Sequence, residues 1–337
     1  MLQPWDMIRF RNLLTLLICA SFLTSACQPP QAPPVPPSLV LPTFVPPVTP
    51  TPAFTEAPAF TPTPPALVPN FSHIVIITFE NKEFGTVIGH PGMPYFNLLA
   101  ETYTLLTQHY AVMHPSLPNY IATVSGDTHG IVDNCEDCFI NAPSLMDHIE
   151  ESGRTWKSYQ DDMPEPCFLG STVRYFQKHN PYIYFDSVRL NAERCQRSIV
   201  PLTQLDHDIA ENSLPNFIAI TPDACYSAHD CSVEFADQWL KEIIEKIYPA
   251  LEATGEPYLI MVTWDEGQGD HSCCGLPEVA GGRVATILIS PQVKQAFQDA
   301  TPYSHYSITK TIAEAWGLPY LGHAADAETN LMTAPWK

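Results

Sequence analysis

The chain has 337 residues, of which 45% are hydrophobic and 15% charged, so it has enough apolar material for one sizeable core or two small ones. Its formal net charge is −20, from 36 acidic and 16 basic residues. An acidic surface repels polyanions at long range, which excludes a nucleic-acid-binding protein that relies on a basic face.

The first 26 residues have the pattern of an export signal. Arg9 and Arg11 precede an apolar run over residues 13–23 that is too short to span a bilayer. Residues 23–27 (LTSAC) resemble a bacterial lipobox, so we expect cleavage before Cys27 and lipidation of that cysteine. The alternative is a plain secretory signal with an incidental cysteine. Both interpretations place the mature protein outside the cytoplasm, and the first places it at the cell surface as a lipoprotein.

Residues 27–69 differ in composition from the rest of the chain and are predicted to be a linker. Sixteen of the 35 prolines lie between residues 28 and 69, and Glu56 is the only charged residue there. Such a segment favours an extended, polyproline-like chain that could hold a domain on the order of 100 Å from a membrane. Disordered filler without a spacer role is the alternative interpretation.

Residues 70–337 are predicted to form one domain without internal repeats. Four continuous apolar runs indicate buried strands, at 74–79, 217–220, 259–264 and 284–289. Apolar residues at spacings of three and four predict a helix over residues 233–251, and a second helix is predicted from 307 to 316, ending at Gly317. Strands that alternate with helices indicate an α/β fold, a three-layer sandwich around a mostly parallel sheet.

Polar residues follow three of the predicted strands. Glu80 and Asn81 come after the first, Asp223 follows the second, and Asp265 and Glu266 come after the third. Because functional sites of open α/β sheets lie beyond the carboxyl ends of the strands, these residues can converge in space. Singly, each is also explained as a turn residue. Together they predict a metal site, and their oxygen ligands favour Mg, Ca or Mn, or Zn if histidine joins them.

The stretch from residue 114 to 126 (HPSLPNYIATVSG) predicts a helix with a serine at its start. Pro118 lies where a first-turn proline would open the helix, so Ser116 lies at or just before the cap. A hydroxyl at that position is close to free backbone N–H groups and to the positive end of the helix dipole, which suits a nucleophile. A plain serine N-cap explains the same pattern.

Eight cysteines remain in the domain once Cys19 and Cys27 are set aside. In an exported domain an even number indicates disulfides, and we expect all eight to be oxidised. A zinc site from two of the pairs is less favourable, because adjacent ligands at 273 and 274 give poor tetrahedral geometry. Eight cysteines allow 105 pairings, so the connectivity stays open. The residues are Cys135, Cys138, Cys167, Cys195, Cys225, Cys231, Cys273 and Cys274.

These motifs resemble a known family. The 114–126 stretch is similar to the nucleophile segment of the alkaline-phosphatase superfamily, in which Thr or Ser precedes Pro-Asn and a helix ending in Thr/Ser-Gly. More closely, the domain resembles the bacterial and fungal phosphoesterase family of acid phosphatases and phospholipases C. The similar segments extend over nearly all of residues 72–328, and their order and number carry the resemblance. They are 79–81 (FEN), 114–120 (HPSLPNY), 159–164 (YQDDMP), 178–181 (KHNP), 222–223 (PD), 229–230 (HD), 264–267 (WDEG) and 303–307 (YSHYS).

The resemblance implies an alkaline-phosphatase-like fold and a metal-dependent site. It implies that Ser116 is the nucleophile and also touches the metal. The implied metal ligands are Glu80, Asn81, Asp265 and Glu266.

The resemblance also implies roles for residues around the phosphate. His179 and His229 match histidines that contact it, and one of the two is expected to protonate the leaving group. Asn119 and His305 are expected to bind the substrate. The loop after Glu266 departs from the family pattern, and its His271 is either a further ligand or loop surface.

We therefore predict a phosphoric ester hydrolase, most closely an acid phosphatase that acts through a phosphoserine. The expected enzyme is a monomer that acts on small soluble phosphomonoesters with an acidic pH optimum and does not bind nucleic acid. In an acidic protein the anionic substrate must be attracted locally, by the metal, a helix N-terminus or clustered histidines. A phospholipase C or phosphodiesterase is the alternative enzyme, and an inactive surface lipoprotein is the alternative from another class.

Overall fold

A nine-stranded sheet forms the centre of the domain. The structure, a computed structural model, describes residues 66–337, so the predicted signal peptide, the lipidation site and nearly all of the linker lie outside the described residues. The strands are β1 (His73–Phe79), β2 (Thr104–Tyr110), β3 (Trp156–Gln160), β4 (Ile199–Pro201), β5 (Phe217–Thr221), β6 (Tyr258–Trp264), β7 (Arg283–Ile289), β8 (Phe297–Asp299) and β9 (Tyr303–Ser304).

The sheet is mostly parallel. Its strand order is β4-β3-β5-β1-β6-β7-β2-β8, and β9 also pairs with β2. Only β7 runs against its neighbours, β6 and β2, within the described part of the chain. In the middle, β1 and β6 pair in parallel with Phe79 opposite Trp264, so the residues that follow these two strands emerge side by side.

All four predicted strands are present, as β1, β5, β6 and β7. They are apolar throughout because both faces of the sheet are covered. On β1, Ile74 and Ile76 belong to one core cluster, whereas Val75, Ile77 and Phe79 belong to the other. Since successive side chains of a strand point to opposite faces, each strand contributes to two cores.

Helices cover both faces of the sheet. They are α1 (Phe84–Val87), α2 (Pro94–Thr102), α3 (Ser116–Ser125), α4 (Leu145–Glu151), α5 (Asp186–Arg189), α6 (Ala192–Ser198), α7 (Gln204–Ala210), α8 (Val233–Thr254) and α9 (His305–Trp316), with 3₁₀ turns at Gln177–His179, Pro181–Tyr184 and Gly322–Ala325.

The helices predicted from the sequence are present, as α3, α8 and α9. In α8 the whole predicted apolar stripe is buried in the core that also contains α2. On the other face α3 packs against α9, and α9 ends at Gly317, which has the left-handed conformation of a C-cap. The predicted three-layer α/β sandwich is therefore confirmed. None of the helices in residues 66–337 is long and apolar enough to cross a membrane.

The eight domain cysteines are all paired, which agrees with the prediction that they are oxidised. Every bridge is local in sequence, the longest joining residues 28 positions apart. The pairs are Cys135–Cys138, Cys167–Cys195, Cys225–Cys231 and Cys273–Cys274.

Candidate active site

Two carboxylates leave the sheet next to each other at its carboxyl edge. Glu80 follows β1 and Asp265 follows β6, and the Asp265 N–H continues the strand pairing by donating to the Phe79 carbonyl at 2.8 Å. Asn81, which has a φ of 58°, donates its backbone N–H to Asp265 Oδ1 at 2.8 Å and its side-chain amide to Glu80 Oε2 at 3.2 Å. The sheet register thus brings together residues 184 positions apart.

Ser116 is the first residue of α3 and lies between two carboxylates. Its Oγ is 3.1 Å from Glu80 Oε2 and 3.2 Å from Glu266 Oε1, and only 2% of the residue is exposed. The helix ends at Gly126. This arrangement places a hydroxyl at a helix N-terminus within reach of two groups that can accept its proton.

The carboxyl groups of the site are crowded and buried. Glu80 is fully buried, and Asp265 and Glu266 are 1% and 5% exposed. Burial, and next the charge of Asp265, raise the pKa of Glu80 well above its usual range. Burial, and next the charge of Glu266, raise the pKa of Asp265 to about 7. Three such groups in one buried region require a cation to remain ionised together.

The donor set fits a divalent metal ion. Asp265 Oδ2 is buried and has no hydrogen-bond partner among the described residues, and the surrounding donors are the hard oxygen atoms that such ions prefer. A second grouping, Glu80 with His179 and His229, brings one potential ligand atom from each residue within 4.8 Å of the others. Of the four predicted ligands, Asn81 contacts both Glu80 and Asp265, and Ser116 Oγ lies within 3.2 Å of both Glu80 and Glu266. Glu80 also belongs to the second grouping, and the assignment of these residues as metal ligands stays a prediction.

The two predicted histidines lie beside Glu80. His179 ends a 3₁₀ turn, is 2% exposed, and places Nε2 3.1 Å from Glu80 Oε1. Burial, then the charges of Lys178 and His229, lower the pKa of His179 well below its usual range. His229 lies in the loop between β5 and α8, partly exposed, and its ring centroid is 5.5 Å from that of His179.

Asn119 and His305, predicted to bind substrate, both contact backbone groups of the protein. The Asn119 oxygen accepts from two backbone N–H groups and its amide donates to two carbonyls, all within residues 112–115. The amide group therefore has no capacity left for a substrate. Nε2 of buried His305 contacts the backbone carbonyl of Asp265, and burial lowers the pKa of His305 to about 4. Both residues hold the chain segments that carry site residues.

Two residues without a predicted role, His114 and Tyr120, also contact the carboxylates of the site. His114 Nδ1 contacts Glu266 Oε2, and this hydrogen bond is the main reason that the pKa of His114 is raised to about 9. The Tyr120 hydroxyl donates to Glu80 Oε1 at 2.5 Å. Tyr120 lies one helical turn after Ser116 and therefore on the same face of α3, so its spacing was the available signal.

The loop after Glu266 is fastened by Glu83. Glu83 Oε2 accepts from the N–H groups of Gln268 and Gly269 at 3.0 and 3.1 Å, and its Oε1 accepts from that of Arg283 at 3.1 Å. His271 is exposed, with Nδ1 3.7 Å from Glu83 Oε1, so of its two open interpretations the structure favours loop surface.

The fold and the site define a class of α/β proteins with a serine at a helix N-terminus, facing carboxylates at the carboxyl edge of a mostly parallel sheet. The chain belongs to the Phosphoesterase family, whose sequence model matches residues 90–319. This result confirms the family resemblance found in the motifs.

Known relatives agree with this assignment. The chain is 31% identical over 264 residues to an acid phosphatase of Aspergillus fumigatus, covering 75% of this chain but only 56% of that protein. It is 29% identical over 267 residues to a phosphatidylinositol-3-phosphatase of Mycobacterium tuberculosis, covering 77% of this chain and 82% of that protein.

A solved structure supports the fold. It is a protein in the alkaline phosphatase superfamily from Vibrio parahaemolyticus, similar with a TM-score of 0.50 at 12% identity over 78% of this chain and 72% of that one. At this identity the likeness bears on the fold alone.

Proposed function

We propose that the protein is a metal-dependent acid phosphatase that hydrolyses phosphomonoesters through a phosphoserine on Ser116. The observation that supports this most directly is the position of the Ser116 hydroxyl, buried at the N-terminus of α3 between Glu80 and Glu266. Several relatives with 31–33% identity are acid phosphatases, which favours a monoester as the substrate.

In the proposed reaction Ser116 attacks the phosphorus atom of the ester. Its hydroxyl proton passes to one of the two adjacent carboxylates, a bond forms between Oγ and phosphorus, and the bond to the alcohol oxygen breaks. Water then gives a proton to one of these carboxylates and attacks the phosphoserine, the phosphorus–Oγ bond breaks, Oγ takes up a proton, and inorganic phosphate leaves. Backbone N–H groups at the start of α3 favour the negative charge of the phosphoryl group, although Asn134 Oδ1 already accepts the N–H of Leu117.

The residues that would hold the metal are Glu80, Asn81, Asp265 and Glu266, with Ser116 beside them. A bound divalent ion would supply positive charge that offsets the crowded carboxylates and favours the ionised serine. The proton for the leaving alcohol is proposed to come from one of the two histidines, His179, which is buried against Glu80, and His229, which is partly exposed.

Replacement of Ser116 tests the proposal. Ser116→Ala is expected to remove turnover of an aryl phosphate monoester almost completely, since the covalent step needs Oγ. Ser125→Ala is the matched control, because Ser125 is in the same helix and equally buried. Its hydroxyl donates to the Ile121 and Asp127 carbonyls and contacts His129, none of which is a residue of the proposed site. Acid-quenched wild type should carry phosphate on the peptide that contains Ser116.

More than about a tenth of wild-type kcat in Ser116→Ala would rule out this nucleophile. Substrate class is tested by comparing the monoester with a diester and a phosphatidylcholine dispersion, each with and without chelator. Faster turnover of the lipid than of the monoester would contradict the acid phosphatase proposal and favour a phospholipase C. Measured across pH 4 to 9 (roughly the range that brackets histidine), kcat/KM for the monoester is expected to have an acidic optimum, and an optimum well above neutral would contradict the acid phosphatase proposal.

We further propose that the protein is exported and attached to the membrane through a lipid on Cys27. The four disulfides of the domain support an oxidising location, and the lipobox-like segment supports the anchor. Loss of the protein from the membrane fraction in a Cys27→Ser variant is the expected result. An unchanged amount of protein in the membrane fraction would contradict lipidation of Cys27. The plain secretory signal or a different anchor would then be the interpretation.

A further inference from the structure

Two lysines near the carboxylates have neutral partners. Lys178 Nζ lies 3.1 Å from His229 Nε2, and Lys82 Nζ donates to the Ala228 carbonyl at 2.8 Å. Within residues 66–337 neither ammonium group has a carboxylate oxygen within 4.0 Å. An ammonium group has three donors, so each lysine keeps two for another ligand.

Both ammonium groups flank consecutive residues of one loop. Ala228 and His229 lie in the loop closed by the Cys225–Cys231 disulfide. The loop is also attached to the sheet, because the Glu80 N–H donates to the Ser227 carbonyl at 3.0 Å. The loop therefore fixes Ala228 and His229, the partners of the two lysines, relative to Glu80.

The hydrogen bonds of His229 favour an anion on this side of the site. Its Nδ1 lies 2.6 Å from Asp230 Oδ1 and therefore carries the proton, whereas Nε2 accepts from Lys178. A metal ion on Nε2 would have to displace the ammonium group and would be repelled by it. The Glu80, His179 and His229 grouping is thus better suited to a ligand of negative charge.

The other side of the site has the opposite character. There Asp265 and Glu266 are buried, and the unpartnered Asp265 Oδ2 favours a cation. Glu80 lies between the two sides, with Ser116 Oγ 3.1 Å away. A phosphoryl group in contact with Ser116 would therefore meet a cation-binding side and an anion-binding side at once.

We propose that Lys178 and Lys82 bind the non-bridging oxygens of the substrate phosphate and favour dianionic monoesters over monoanionic diesters. This proposal rests on the proposed function and adds residues that decide between its substrate classes. The physical reason is that hydrogen bonds between charged groups are about twice as strong as neutral ones. A diester has one charge fewer and offers these donors less. The pair also provides the local attraction that a chain with a net charge of −20 needs.

The first test compares two esters in full-length, metal-loaded protein. Lys178→Gln is expected to lower kcat/KM for an aryl phosphate monoester by about 10- to 100-fold, the usual effect of losing a charged hydrogen bond. The loss for a bis-aryl diester should be at most a few-fold. Lys82→Gln should likewise lose more kcat/KM for the monoester than for the diester. Lys178→Arg should keep most of the monoester activity because it keeps the charge.

Lys294→Gln is the matched control. Like Lys82, Lys294 donates its ammonium group to a backbone carbonyl, that of Ala334, at 2.7 Å, but it lies outside the site. Its activity on both esters should equal that of wild type. Equal losses on monoester and diester in Lys178→Gln and Lys82→Gln, or no loss at all, would overturn the proposal.

Binding of inorganic phosphate separates this proposal from the proposed function. Titration calorimetry should show that Lys178→Gln binds phosphate about 10-fold or more weakly than wild type, whether or not the protein turns over an ester. If wild type hydrolyses neither ester but binds phosphate through Lys178, the phosphatase proposal fails and the anion site stands. If the variant binds phosphate as tightly as wild type, or wild type binds none, the anion site fails.

Discussion

At the scale of single residues, the carboxyl groups of Glu80, Asp265 and Glu266 lie together in a buried region of the protein. Ser116 and Tyr120 donate to Glu80, His114 contacts Glu266, and the backbone N–H groups of Asn81 and Glu266 donate to Asp265 Oδ1. These neighbours are too few for three buried charges, and one Asp265 oxygen has no partner among the described residues. We infer that a bound cation contributes to stability as well as to catalysis.

Chelation should therefore lower the Tm of the wild-type protein. A ligand present at 100 times its Kd stabilises the native state by about 2.7 kcal/mol, which is lost when it is removed. In Asp265→Asn both a ligand and a repelling charge are gone, so the chelator should shift Tm much less. Differential scanning calorimetry with and without EDTA measures both shifts.

Asp208→Asn provides the control for burial alone. Asp208 is 2% exposed and accepts from Lys157 at 2.6 Å, from Tyr159 at 2.5 Å and from Gln204 at 3.0 Å, none of which is a residue of the proposed site. Its loss should destabilise by about 3–5 kcal/mol, as for other broken buried pairs, with the EDTA effect preserved. An EDTA shift in Asp265→Asn as large as in wild type would contradict the metal assignment.

At the scale of elements, the orientation of α3 is fixed at the end opposite Ser116. Gly126 ends the helix with a φ of 71°, and its carbonyl accepts from the His323 N–H at 2.7 Å. The 3₁₀ turn Gly322–Ala325 lies so close that a Cβ on Gly126 would be 2.1 Å from the Leu321 carbonyl oxygen. A glycine is required here for conformation and for space.

Gly126→Ala should therefore destabilise the protein by more than the conformational cost alone. Gly153 has a similar φ of +81°, and a Cβ there would meet nothing within 4 Å. Gly153→Ala should cost about 1–2 kcal/mol, the left-handed penalty of an ordinary residue, whereas Gly126→Ala adds a backbone clash. Urea unfolding of both variants measures the difference, and equal midpoints would refute the close approach.

The elements also show what the sequence could predict. The buried strands β1, β5, β6 and β7 and the helix α8 were predicted because continuous apolar runs and three-four spacing carry their own signal. By contrast β2 (TLLTQHY) mixes polar with apolar residues, and β4, β8 and β9 have three residues or fewer. Such strands form because neighbouring strands provide their partners, which no local pattern records.

The site was predicted to a similar extent and for similar reasons. Glu80 and Asp265 were found because they follow strong strands, and the sheet register then brings them together. The roles of Asn119 and His305 were assigned by resemblance alone, and in the structure both side chains contact backbone groups. The contact of His114 with Glu266 and the contact of Lys82 with the Ala228 carbonyl depend on loops. The spacing of residues in the sequence does not determine the paths of these loops.

At the scale of the whole molecule, the four disulfides differ in what they constrain. Cys167–Cys195 closes 28 positions, and Cys225–Cys231 closes six positions around His229. Loop-closure entropy gives about 3–4 kcal/mol for the longer bridge and about 2 kcal/mol for the shorter one. The longer bridge should matter more for folding and the shorter one more for the geometry of the site.

Two double variants separate these effects. Cys167→Ser with Cys195→Ser should lower Tm more and keep most of kcat/KM at 25 °C, since these residues lie apart from the carboxylates. Cys225→Ser with Cys231→Ser should lower kcat/KM more, because the loop that carries His229 is released. The reverse order in both measurements would show that the short bridge has no part in positioning.

The attachment of the loop after Glu266 has a consequence for how members of this family can diverge. Glu83 holds both ends of residues 268–283 through backbone N–H groups, and a Cβ on Gly267 or Gly282 would come within 2.3 or 2.8 Å of its Oε2. Apart from His271, whose Nδ1 lies 3.7 Å from Glu83 Oε1, the contacts of Glu83 with this segment are to backbone N–H groups and glycines. These contacts therefore do not depend on the other side chains of the loop. We therefore expect that substitutions between residues 272 and 280 change the loop surface while Asp265 and Glu266, which precede the attached part of the loop, keep their positions.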